Sequence, residues 1–278
     1  MFSYLKRTFQ EELSECFGEF KSATDNLAYL SQQILIASSR ETFRESLISL
    51  FSQKLPTSDL HNSIINIIET LRNPRSKTKR KEVERLLITT SAYDETLEQA
   101  LKNKKIPFHV VSFVLKDDDD TLNRNTFWHF YSPKGSSVVI DNVSEYENLI
   151  SDNYPIILKI YGGLGHFAKK KHSFVISEDD YIKLSMDNYL SYIPEPLPNL
   201  LVNNPILFIG YNIRNWNYRI ILSHIFSGSK VKQRSWAIQD SYQKGDKELW
   251  DKINVELINN MTIEEFFFEL RDVFNITK

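Results

Sequence analysis

The sequence predicts an α/β protein in which a mostly parallel sheet is flanked by helices and preceded by a helical region. Three observations predict it. Apolar residues before position 85 recur at helical spacing; after it, short apolar and β-branched runs alternate with amphipathic stretches; and several of those runs are apolar throughout. A strand that is apolar at every position is one covered on both faces, which is the condition of a parallel sheet between helices. The chain thus reads as a single domain, 1–278, with a helical part at 1–84 and an α/β core at 85–278.

The helical part carries two apolar stripes, Leu27, Leu30, Ile34 and Ile36, then Phe43, Leu47, Leu50 and Phe51. Asp59, before LHNSIINIIETL, reads as the N-cap of a third helix. The core opens with the strand RLLITTS and the helix YDETLEQALKN. PFHVVSFVL, TFWHFYSP and SSVVID follow as strands. PIILKIYG is the most apolar strand, followed by HSFVIS and the helix EDDYIKLSMDNYL. NPILFIGYN, a further fully apolar strand, leads into the helix IRNWNYRIILSHIFSG, closed by Gly228. RSWAIQ and VELIN come next, and the last helix, TIEEFFFELRDVF, begins with Thr262 and Glu265 at capping-box spacing.

With 278 residues, 41% hydrophobic and 13% aromatic, the chain can bury a large core, which excludes a disordered chain. The formal charge of −2 and a pI near 6.3 give no global pull towards nucleic acid. The basic run NPRSKTKRKE at 73–82 lacks the interleaved aromatics that stack bases, and the acidic run KDDDD at 116–120 lacks the glycine and distant glutamate of a calcium loop. Both read as solvated loops. Cys16 is the only cysteine, so there are no disulfides or thiolate zinc sites, and no His/Asp/Glu spacing calls for a metal. The N-terminal MFSYLKRTFQEELSE is a charged amphipathic helix rather than a signal peptide, and no run is long enough for a membrane span. The expectation is a cytoplasmic protein without membrane contact.

In a parallel sheet, ligands collect beyond the carboxyl ends of the strands. Those ends are Thr90–Ser91, Tyr161–Gly163, Gly210–Asn212 and Ile238–Gln239. Five segments around them, in order, resemble one family. LITTSAYDETLEQAL is similar to a Thr-Thr-Asn-Tyr-Asp segment followed by an acidic helix, and ILKIYGG to a strand ending in His-Gly. SFVISEDDYIKL resembles a Ser/Thr-Glu-Asp-Asp-Tyr helix entry, LFIGYNIRNWNYRIIL a Phe-Leu-Gly-Tyr-Ser-x-Arg-Asp-Trp-Asn-x-Arg run, and RSWAIQ the strand after it. This is the bacterial sirtuin-like, or silent-information-regulator-two-like, group. The resemblance spans roughly residues 25 to 275. It implies a Rossmann-like fold, NAD lying across the strand ends, cleavage of the ribose–nicotinamide bond, and a place among NAD-consuming antiviral effectors.

Carried over residue by residue, the resemblance puts the reactive slots at Ser91, Asp94 and Tyr161, and the cofactor contacts at Gly162, Gly210, Tyr211, Asn212 and Ile238. Three departures accompany it. There is no Gly-Ala-Gly-x-Ser loop; Gly18 stands alone and the next glycine is Gly135. Tyr161 occupies the histidine slot, and a phenol with an ordinary pKa near 10 is a poor base at neutral pH. TTSAYD has an extra residue, so Ser91 or Ala92 stands where an amide should orient water.

Each residue has a plainer reading. Tyr161 fills volume, Gly210 shapes a strand-to-helix turn, and Arg214 and Arg219 pair with carboxylates. Asn215 replaces the family's acid, and Asp94 supports the helix that follows it. His166 or His172 is a candidate to replace the missing base. His61, His109, His129 and His224 read as packing or surface residues. The leading expectation is a degenerate sirtuin-like domain working as a homo-oligomer or as a structural or regulatory partner in a defence assembly. The alternatives are an active NAD glycohydrolase and a non-cleaving sensor of NAD or ADP-ribose.

Overall fold

The computed structural model describes residues 26–72, 86–115, 126–140, 152–165, 172–186, 193–194, 197–226 and 231–273. The N-terminal amphipathic stretch with Cys16, the basic and acidic runs, His166 and Gly228 lie outside them.

Three helices open the described chain: α1 (Leu27–Ala37), α2 (Arg40–Phe51) and α3 (Asp59–Arg72). The Asn26 side chain caps α1 by accepting from Ala28 and Tyr29, and the Ser39 hydroxyl caps α2 through the Thr42 amide. The second stripe packs as its spacing predicts, with Phe43, Leu47, Leu50 and Phe51 all buried. The first needs a correction: Leu30 and Ile34 are buried, but Ile36 is 67% exposed because its position is turned off the face they share. Asp59 is the first residue of α3 rather than its cap. Ser58 stands before it, its hydroxyl 2.7 Å from His61 Nδ1.

The core then runs β1 (Leu87–Thr90), α4 (Thr96–Asn103), β2 (His109–Val114), β3 (Thr126–Tyr131), β4 (Ser136–Ile140) and β5 (Ile156–Lys159). After the short β6 (Gly162–Gly163) and β7 (Ser173–Phe174) come α5 (Glu178–Met186), α6 (Leu197–Asn203), β8 (Leu207–Ile209) and α7 (Trp216–Phe226). β9 (Ser235–Ile238), α8 (Lys244–Lys252), β10 (Val255–Ile258) and α9 (Ile263–Val273) complete it. Two of these helices have no counterpart in the sequence reading. α6 is short and carries a proline in its first turn, and α8 is polar apart from Leu249 and the fully buried Trp250. The capping box of α9 forms: the Thr262 amide donates to Glu265 Oε2 at 2.7 Å, and the Glu265 amide to Thr262 Oγ1 at 3.2 Å.

The strands make a mostly parallel arrangement in two pieces. One sheet has the order β1-β5-β2-β3-β4, with β1, β5 and β2 parallel and β3 and β4 antiparallel extensions. The other has the parallel order β10-β9-β8. β6 and β7 form a small antiparallel ribbon. Every residue of β2 and β5 is buried, as strands under helices on both faces require. One continuous core joins the two pieces, running from Leu30, Leu47 and Phe51 through Val111, Leu158 and Tyr161 to Phe208, Ala237 and Trp250. A second cluster beneath α3 and α4 contains Ile65, Leu101, Val110, Trp128 and Ile157.

Candidate functional site

The four strand ends meet in one place, and tyrosine rings fill it. β1 lies in register with β5, pairing Thr90 with Lys159, and the Ile160 amide donates to the Thr90 carbonyl at 3.1 Å. The next turn is tied to the glycine corner, because the Leu164 amide donates to the Tyr93 carbonyl at 2.9 Å. From that corner Tyr161, 1% exposed, reaches towards α7 and donates its hydroxyl to the Asn217 carbonyl at 3.0 Å. Its ring stacks against Tyr218 with centroids 6.1 Å apart and meets Tyr181 edge-on at 5.3 Å. Tyr218 lies 4.9 Å from Tyr211, which donates to the Tyr218 carbonyl at 2.6 Å and accepts from Gln239 at 2.7 Å. Tyr93 closes the other side, donating to the Val175 carbonyl at 2.6 Å. Burial pushes the Tyr93, Tyr181 and Tyr211 hydroxyls up, so all three stay protonated at neutral pH.

The individual candidates have distinct surroundings. Ser91 is half-buried beside a turn tied by Thr90, whose hydroxyl accepts the Ala92 amide at 3.0 Å. Asp94 is buried; its Oδ1 accepts the Thr96 amide at 2.9 Å and so starts α4, while Oδ2 has no partner among the described residues. Gly162 has φ +76°, and a Cβ there would overlap the Ser173 carbonyl and lie 2.9 Å from that of Phe113. A Cβ on Gly163 would lie 2.8 Å from the Tyr93 carbonyl. Gly210 also has positive φ, +61°, but a Cβ there would meet only the Ile263 methyl, at an ordinary contact of 3.7 Å. Asn212 is exposed and closes its own turn, accepting the Arg214 amide at 3.1 Å. Ile238 is fully buried, and its carbonyl takes the Gly210 amide. Asn215, in the acid's place, accepts the Asn217 amide at 3.2 Å and caps α7. Arg214 pairs with the buried Asp246 at 3.3 Å. His172 holds the Gly165 amide on its Nδ1 at 3.0 Å.

Two features escaped the sequence reading. Lys159 sits in the apolar run ILKI yet is 1% exposed; its ammonium pairs with Glu98 of α4 at 2.9 Å and donates to the Asp94 carbonyl. A buried lysine needs such a partner. The usable signal was a lone cation inside a strand of buried periodicity.

The second feature lies at the opposite, amino end of β2. His109 and His129 are buried, as packing residues are, and they are also linked to each other and to Asp152. His109 Nδ1 is 2.9 Å from His129 Nε2, and His109 Nε2 is 3.1 Å from Asp152 Oδ1, while Tyr131 donates to Asp152 Oδ2 at 2.7 Å. The two imidazoles stack at 5.1 Å on one face of the β2–β3 pair. Among the described residues no group of three His, Cys, Asp or Glu is arranged to hold a metal, and no helix is long and apolar enough to cross a membrane.

Burial, with His109 beside it, pushes the His129 imidazole down to about 3. The unfolded chain takes up that proton near the ordinary value of 6.5, so it binds more protons than the native state between the two values. Stability is therefore intact above pH 6.5 and is lost as pH falls towards 3. Between pH 7 and pH 5 the expected loss is about 2 kcal/mol. Urea midpoints at pH 7, 6 and 5 read it directly, and H129Q should flatten the trend; an unchanged slope in that variant would sink the assignment.

No curated protein matches the chain. The family model described as SIR2-like domain matches residues 85–258, more than half of the chain and the whole of the region that carries the four strand ends. With that match and this α/β sheet, the chain belongs to the SIR2-like domain family.

Proposed function

We propose that this is a catalytically degenerate member of the NAD-consuming defence lineage, acting as a structural or regulatory partner of other proteins rather than cutting NAD. The observation that carries the reading is Tyr161: its ring stands in the reactive slot, 1% exposed, with its hydroxyl spent on the Asn217 carbonyl. SIR2-like domains generally bind NAD. The residues present do not fit it. Gly162 and Gly163 are packed against the carbonyls of Ser173, Phe113 and Tyr93, so their missing side chains make room for this chain's own backbone. The corner is shaped for the protein's own packing, and no cleavage step runs through it.

Opening the plug means separating Tyr161 from two rings and a hydrogen bond. At about 0.5–1.5 kcal/mol for each aromatic pair and a similar amount for the bond, the cost is about 1.5–4.5 kcal/mol. A ligand needing the opened form binds roughly 10- to 2,000-fold more weakly for it. The turn departs from the family pattern as well, because Ser91 offers no side-chain amide, while Asp94 holds the start of α4 through Oδ1.

The test is to incubate the purified chain with NAD and follow nicotinamide release. The expected result is no release above that of buffer. Release that disappears on changing Asp94 to Asn would overturn the reading in favour of an active hydrolase. Thermal-shift titration separates the sensor alternative, because a ligand bound by the native state raises the melting temperature with its concentration. A flat response to NAD and ADP-ribose is expected.

A further inference from the structure

His109 joins two partners at once. Its Nε2 lies 3.1 Å from Asp152 Oδ1, and its Nδ1 lies 2.9 Å from His129 Nε2. The Tyr131 hydroxyl donates to the other carboxylate oxygen, Oδ2, at 2.7 Å. Asp152 stands before β5 with its side chain 29% exposed, while the His109 side chain is fully buried. The line of polar atoms thus runs from a part-exposed carboxylate, through one buried ring, to a second buried ring on β3.

The hydrogens on this line can be counted. Desolvation raises the Asp152 carboxyl, but the bonds from Tyr131 and His109 outweigh it and hold the group below its ordinary value. Asp152 is therefore an ionised acceptor at neutral pH. The bond to Asp152 pushes the Tyr131 hydroxyl up to about 12, so Tyr131 stays a donor. His109 must then donate from Nε2. A contact of 2.9 Å between two imidazole nitrogens holds one hydrogen, because two facing N–H groups clash and two bare nitrogens repel. With both rings neutral, His109 Nδ1 is bare. The shared hydrogen then belongs to His129 Nε2, and His129 Nδ1 carries none.

One added proton does not break this arrangement. It enters on His129 Nδ1, the bridging hydrogen passes from His129 Nε2 to His109 Nδ1, and the charge comes to rest on His109. There both N–H groups of the imidazolium have acceptors, and the one facing Asp152 is a charge-assisted bond, the stronger kind. A second proton would put N–H on both facing nitrogens. Burial and the neighbouring His109, which push His129 down to about 3, oppose that step. The strands on either side add no charge to the pair, since Ile156 of β5 stands opposite His109 and Val138 of β4 opposite His129. The remaining titratable neighbours are Tyr154, its ring 6.1 Å from that of His109, and Lys134 of the β3–β4 turn, 5.7 Å from the Tyr131 ring.

We propose that Asp152, His109 and His129 form a one-proton relay in which His129 takes up the proton, His109 carries the charge, and His129 exchanges its Nε2–H form for its Nδ1–H form. A nitrogen on β3 thereby changes from hydrogen-bond acceptor to donor as pH falls, with no side chain moving. The relay sits at the amino end of β2, away from the tyrosine cluster, so NAD turnover or its lack leaves the inference untouched.

Long-range proton–nitrogen correlation spectra of the full chain, labelled with 15N-histidine, test it between pH 8 and pH 4. They distinguish the two neutral forms of a ring from the imidazolium, and the spectrum of H129Q identifies the His129 signals. At pH 8 both rings should be in the Nε2–H form. As pH falls, His109 should become the imidazolium and His129 the Nδ1–H form, with one shared midpoint. D152N should lower that midpoint by about one pH unit or more, because the facing charge is gone. An Nδ1–H form of His129 already present at pH 8, separate midpoints for the two rings, or no change in either ring down to pH 4 overturns the proposal. So does an unmoved midpoint in D152N with native near-ultraviolet dichroism.

Discussion

Replacing Lys159 by Met should lower the unfolding free energy by about 3–5 kcal/mol, because it leaves the Glu98 carboxylate buried without its partner. Both side chains are within 2% of full burial and 2.9 Å apart, so water cannot make good the loss. The ammonium also holds the Asp94 carbonyl, and its removal frees the turn between β1 and α4 on the crevice side. Replacing both partners, K159M with E98L, should return stability to within about 2 kcal/mol of the natural chain, since an apolar pair of similar volume carries no desolvation cost. Urea unfolding of the three proteins measures this. A single-variant loss under about 1 kcal/mol would show that Glu98 reaches solvent or finds another donor.

Gly162 and Gly210 should respond differently to the same substitution. Both have positive φ, so alanine at either is strained by about 1–3 kcal/mol. At Gly162 the new Cβ also meets the backbone carbonyls of Ser173 and Phe113, which no side-chain rotation relieves. G162A is expected to cost about 1–3 kcal/mol more than G210A, whose Cβ has only the Ile263 methyl at 3.7 Å nearby. Thermal melts of the two variants decide it. Equal losses would mean that the backbone angle alone requires glycine at the corner, and that the β6–β7 ribbon yields.

The Gly162 contrast also separates two reasons for a glycine at a strand end. The sequence allows either the approach of a ligand or the approach of another backbone. The occupied space around Gly162 selects the second, while the ordinary 3.7 Å contact beside Gly210 leaves its turn geometry as the reason.

Local order was legible from the residues themselves. The apolar runs became β1, β2, β5, β8 and β9, the stripe from Phe43 to Phe51 became the buried face of α2, and Thr262 with Glu265 caps α9. These features depend on periodicity and on contacts between residues close in the chain, which a sequence records directly. The strand ends were legible for the same reason, and with them the positions of Tyr161, Gly162, Gly210 and Tyr211.

What those residues face depended on partners far away in the chain. Asn217 takes the Tyr161 hydroxyl across 56 positions, Glu98 takes the Lys159 ammonium from a helix far earlier in the chain, and His129 meets His109 from a neighbouring strand. Ile36 reads as part of a buried stripe and is exposed, because burial of a helix face depends on what lies opposite it. The division of the described strands into two sheets was equally invisible, since a run such as LFI has the same composition at an edge as at the centre of a sheet. The sequence by itself determined the family, most of the elements and the places where a ligand would be sought. The tertiary structure decided that aromatic rings fill the corner where those places meet, because that depends on which distant groups come within a few ångströms.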